Sequence, residues 1–123
     1  MADENRIGGT SYLSYGGKSM TLGTGTHTIS LMLFERTGVA ASAGGAAGYT
    51  EAGRVPFIEV EGLTVSDQDM TELQNFNNGT VVSELANGKV ATLNEAWFAA
   101  TLDVDANAGT FTARFEGKSG QWS

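Results

Sequence analysis

The sequence predicts a mainly-β chain, an antiparallel β-sandwich or flattened barrel of about seven short strands with one short helix and a long loop. Three observations lead there. Apolar residues recur with period two in several short runs. Glycine and asparagine pairs punctuate those runs at hairpin spacing. Ser66-Asp-Gln-Asp69 matches the helix-opening pattern Ser-x-x-acid.

The chain has 123 residues, 17 of them glycine, with one proline and no cysteine. This length suits one domain, 1–123. Residues 1–9 are polar, end in Gly8-Gly9 and read as a flexible arm. Thr10 to Tyr15 and Lys18 to Leu22 flank Gly16-Gly17, a hairpin with a primed turn. Thr26 to Arg36 is the longest candidate strand, with Ile29, Leu31 and Leu33 on one face. Thr37 to Arg54 breaks the period. It is rich in alanine and glycine and reads as a long loop of the kind that usually carries function.

Val55 to Leu63 is a strand again, with Ile58 and Val60 inward and Phe57, Glu59 and Glu61 outward. Ser66 is the expected helix cap, with Val65 and Met70 as a hydrophobic staple and the helix ending near Asn75. Asn87-Gly88 joins two β runs as a tight hairpin. Residues 96–104 continue as strand. Phe111, Ala113 and Phe115 alternate with Thr112, Arg114 and Glu116 in a last, half-buried strand.

Composition narrows function. Fourteen acids against seven bases give a net charge of −7, which opposes gripping nucleic acid through its phosphates. Without cysteine there is no disulfide framework, zinc ribbon or thiol nucleophile. No apolar run approaches the ~18 residues of a membrane span, and the polar N-terminus lacks a signal-peptide core. Asp103-Val-Asp105-Ala-Asn107 has calcium-loop spacing, but Ala108 and Arg114 stand where glycine and a bidentate acid are needed. Gly23-Thr-Gly25-Thr lacks the Gly-Lys-Ser/Thr of a phosphate loop. His27 has no nucleophile motif near it in sequence and reads as a polar strand residue. No catalytic, metal or cofactor site assembles, so an enzyme is not expected.

The order of pieces resembles the tail tube protein family of Mu-type and related phages. The carriers span nearly the whole chain. They are Arg6-Ile-Gly-Gly-Thr-Ser-Tyr-Leu with Gly17-Lys18; Gly48-Tyr49-Thr-Glu51; Pro56-Phe-Ile-Glu59; Glu84-Leu-Ala-Asn-Gly-Lys89; Asn94-Glu-Ala-Trp97; and Asp105 followed by Gly109-Thr-Phe-Thr-Ala-Arg-Phe-Glu-Gly117. Residues 40–47 depart from the family in their richness in alanine and glycine. The resemblance implies a structural virion protein, assembled in the host cytoplasm, whose hexameric rings stack into a tail tube through which DNA passes without specific binding. It implies as partners the chain itself, a tape measure protein, a tail terminator, a baseplate hub and, in contractile tails, a sheath. Six protomers giving four strands each, at ~4.8 Å spacing and ~40° tilt, close a barrel of about 48 Å backbone diameter. Side chains reduce that to a bore of roughly 40 Å, wide enough for duplex DNA whose grooves are each ~8 Å deep.

Two site expectations follow. The 37–54 loop should pack on the next ring, with Val39, Gly44, Gly45, Gly48, Tyr49 and Glu51 in contact. Glu59 and Glu61 should line the bore, or alternatively Asp103 and Asp105, because acids on a conduit wall repel phosphate. The rival from another class is a ligand- or carbohydrate-binding β-sandwich, which would cluster exposed aromatics; Trp97 and Trp122 are far apart in sequence.

Overall fold

A computed structural model describes residues 9–123. The expected arm, 1–9, lies outside the described residues except for Gly9. The strands are β1 (Tyr12–Tyr15), β2 (Lys18–Met20), β3 (Leu22–Ser30), β4 (Phe34–Ala40), β5 (Ala46–Gly53) and β6 (Phe57–Leu63). After the helix α1 (Met70–Gln74) come β7 (Gly79–Glu84), β8 (Val90–Ala99), β9 (Val104–Asp105), β10 (Thr110–Glu116) and β11 (Ser119–Trp122).

The chain is mainly β, antiparallel throughout, with one short helix, as expected. The described strands number eleven rather than about seven. Nine form one sheet in the order β2-β1-β7-β8-β10-β6-β3, with β11 beside β8 and β9 beside β10. The sheet folds over on β8. Residues 91–94 of β8 pair with β11, and 97–99 pair with β10. Between them Glu95 has φ 50°, a left-handed backbone that bends the strand. The result is sandwich-like: β2-β1-β7-β8-β11 forms one layer and β8-β10-β6-β3 the other. It is not a closed barrel.

Alternation fills the space between the layers. Ile58 and Val60 from β6 and Ala113 and Phe115 from β10 are fully buried, facing Val81 and Leu93 of the first layer. Phe115 is the hub. Its ring lies 5.6–5.8 Å from those of Tyr15, Phe76 and Phe98. Phe76 needs Gly79 beneath it, because a Cβ there would sit 2.8 Å from the ring.

Several expectations need correction. The strand from 26 to 36 is two strands. β3 ends at Ser30, and Leu31 turns inward against Gly120 of β11, so Ile29 and Leu31 pack on the core while Leu33 is exposed. The helix starts at Asp69, not Ser66, because the Asp69 carboxylate accepts from the Glu72 amide at 2.9 Å. Asn87-Gly88 is not a two-residue turn. Gly88 alone is left-handed, and the pairs Leu85 N to Lys89 O and Gly88 N to Leu85 O make a three-residue loop with a glycine bulge. Gly16 and Gly17 do form the primed turn, with φ 55° and 85°. The strand expected to run through 104 stops at Ala99, where Ala100 takes φ 60°. The long loop at 37–54 is itself paired.

Candidate assembly surfaces

β4 and β5 form a two-stranded sheet of their own. Every residue of both strands is exposed. Their seven and eight residues make an arm about 23 Å long at ~3.3 Å per residue. The Arg54 amide donates to the Leu33 carbonyl at 2.8 Å and closes the base. The tip, 41–45, turns on Gly44 and Gly45, both left-handed. Register sets two faces. One carries Phe34, Arg36 and Gly38 with Tyr49, Glu51 and Gly53; the other carries Glu35, Thr37 and Val39 with Gly48, Thr50 and Ala52. Arg36 joins Glu51 at 3.2 Å and lies 5.4 Å from the Tyr49 ring centroid. Tyr49 and Glu51 thus share one face, whereas Val39 and Gly48 pair on the other. Met32, Leu33, Phe34 and Val55 are exposed apolar residues around the base. An isolated two-stranded hairpin is marginal in water at best. Among the described residues, this arm and its apolar base have no partner.

The second surface is the outer face of the β8-β10-β6-β3 layer. β3 and β6 pair with Thr28 opposite Glu59 and His27 opposite Val60. Glu59 and Glu61 point away from the core, half-buried. They differ in surroundings. Glu59 lies 3.7 Å from Arg114, which also binds Glu116 at 3.0 Å and covers the Phe57 ring at 3.9 Å. One guanidinium therefore serves two carboxylates. Glu61 lies instead in a bulge of β3, over Gly23 and Gly25. Arg114 was visible in sequence only as a polar residue of an alternating strand; its pairing across β6 is a product of register.

Asp103 and Asp105 both make local hydrogen bonds. Asp103 precedes β9 and accepts from Thr101 at 3.0 Å. Asp105 caps the following turn through the amides of Asn107 and Ala108, at 3.1 and 3.2 Å. β9 pairs with β10, so Asp105 belongs to the same layer as Glu59 and Glu61. The two placements of bore acids thus share one layer.

His27 binds Ser11 and Ser83, but Ser83 is fully buried and no substrate can reach it. Among the described residues no group of acids and histidine could hold a metal ion, and no helix is long and apolar enough to cross a membrane. Trp97 and Trp122 stand in different layers.

The sequence profile for the phage tail tube protein family matches residues 4–122. The chain belongs to the phage tail tube protein family. It is a structural, non-enzymatic tube protein and a component of a phage tail. No curated protein sequence matches it. Solved structures share its fold. Hcp1 from Flavobacterium johnsoniae is 15% identical, with 92% of this chain and 94% of that chain covered and a TM-score of 0.58. The sheath/tube terminator of PVC, an extracellular contractile injection system, is 9% identical, with 92% of each chain covered and a TM-score of 0.60. The tube-terminating cap of the anti-feeding prophage is 8% identical, with 92% and 87% covered and a TM-score of 0.59. Each likeness speaks to the fold alone.

Proposed function

We propose that this tail tube protein assembles into hexameric rings that stack into a hollow tube, a conduit for DNA. The observation that carries this reading is the β4–β5 arm, wholly exposed and set on an apolar base. Such an arm is stable where a second copy covers it. In the proposed tube it packs on the next ring, through Val39, Gly44, Gly45, Gly48, Tyr49 and Glu51. The free edge of β3 joins a neighbouring protomer, which removes an unpaired edge from the monomer. The β8-β10-β6-β3 layer supplies four strands of the bore, with Glu59 and Glu61 on its wall. Those acids repel the phosphates of passing DNA. A tape measure protein, a terminator, a baseplate hub and, in a contractile tail, a sheath complete the assembly, which forms in the host cytoplasm.

The test is the state of purified protein in chelator, by sedimentation and negative-stain imaging. Rings or filaments are expected without any cofactor. A strict monomer at high concentration contradicts the reading and favours a ligand-binding module.

A further inference from the structure

The sandwich is joined along one side by β8 and left unclosed along the other, where β3 ends the sheet. An open cleft of about 550 Å³ lies there, between Gly9 to Ser11 on one wall and Leu22 to His27 on the other. At its inner end His27, from β3, reaches across to the first layer. Its Nδ1 lies 2.9 Å from the Ser11 hydroxyl and its Nε2 lies 2.6 Å from that of Ser83 on β7. β3 continues through residues 31–33 directly into β4. The strand that carries the projecting arm is therefore tied to the opposite layer by this imidazole.

We propose that Ser11, His27 and Ser83 form an acid-released latch on the open side of the sandwich. The proposal rests on the fold and not on the tube reading. Ser83 is fully buried, and His27 is its side-chain hydrogen-bond partner among the described residues. A buried hydroxyl proton needs an acceptor. Nε2 therefore accepts from Ser83, and Nδ1–H donates to Ser11. A proton taken from solvent onto Nε2 turns that acceptor into a donor and strands the Ser83 proton.

Among the described residues, no acid faces the imidazolium. From β6, Glu59 and Glu61 flank Val60, the residue opposite His27, and point to the outer face; Glu61 lies against Gly23 and Gly25 there. From β7, Glu84 follows the inward Ser83 and also points out. Of the segment leading into β1, the described residues Gly9 to Ser11 offer Ser11 and no charge. Burial accordingly holds the imidazole below the ordinary histidine value.

The chain has one histidine, so its NMR signals need no assignment by mutation. The experiment follows that imidazole from pH 7.5 to 5 in the intact protein, by magic-angle spinning where it is assembled. Hydrogen exchange at residues 27–30 is followed in parallel, corrected for intrinsic rates. The expected result is the Nδ1–H tautomer at neutral pH and a midpoint below ~6.5. Exchange at 27–30 should then rise by up to about tenfold per pH unit between ~6.5 and that midpoint and level off below it, as one linked proton requires. His27→Gln, which does not titrate, should abolish that rise. An Nε2–H tautomer, or exchange unchanged while His27 titrates, overturns the latch. If His27→Gln does not fold, the wild-type titration and exchange decide alone.

Discussion

Glu61 and Gly25 show how much of a surface residue's role is set by what lies under it. A Cβ on Gly25 would fall 1.6 Å from the Glu61 carboxylate, and one on Gly23 2.5 Å from it. Gly25→Ala should therefore displace the flexible Glu61 side chain and destabilise the fold by about 1 kcal/mol or less. Glu61→Ala in the same chain should recover most of that loss, measured as urea midpoints in a double-mutant cycle. Independent, additive losses would mean the two residues do not compete for space. In the core, Phe115→Ala should cost ~3–5 kcal/mol, because the rings of Tyr15, Phe76 and Phe98 lose their common neighbour and a cavity is left. The buried alternation of Ile58 with Val60, and of Phe111 with Ala113 and Phe115, was legible because period two is a local signal. The Gly25–Glu61 contact was not, because it depends on a four-residue bulge in β3 that no sequence rule marks. Nor was the Ser11–His27–Ser83 set, whose members come from segments far apart in the chain.

Among the elements, the β4–β5 arm is where sequence and structure part most. Alanine and glycine dominate 40–48, and both faces are exposed, so no burial period exists to betray a strand. The functional residues expected for the loop all lie on the arm, but register separates them onto two faces. Replacing residues 40–48 with a short flexible linker removes the tip and the two register pairs nearest it, Val39 with Gly48 and Ala40 with Ala46, while leaving the nine-stranded sheet untouched. The protomer should keep its urea midpoint within about 0.5 kcal/mol, as distant surface changes do. Long tubes should be lost, as judged by imaging. Normal tube length in that variant would show that the arm does not join rings. The helix illustrates the smaller error of boundary. Both Ser66 and Asp69 are good caps by type, and only the 2.9 Å bond from the Glu72 amide chooses between them.

For the whole molecule, fold class was readable because turn chemistry and period two agree along nearly the whole chain. The fold-over at Glu95 was not, since a left-handed non-glycine residue leaves no signature. Charge was readable as a total but not as a placement. Glu59 and Glu116 share Arg114, so Glu61 is the less compensated acid of that face. Reversal at both positions, Glu59→Lys with Glu61→Lys, should leave tubes intact. It should make them retain DNA at low salt and release it as salt rises. Reversal of Asp103 and Asp105 should act mainly on stability, by removing the cap of the 105–109 turn, about 1 kcal/mol. DNA retention by the second pair alone would move the bore wall to the 103–109 segment. The most direct measurement for the whole account is a cryo-EM reconstruction of the assembled protein at side-chain detail. The expected result is six protomers per ring, the β8-β10-β6-β3 layer around a bore of roughly 40 Å, and the β4–β5 arm packed on the adjacent ring. A bore lined by the β2-β1-β7-β8-β11 layer, or an arm free in solvent between rings, would contradict it.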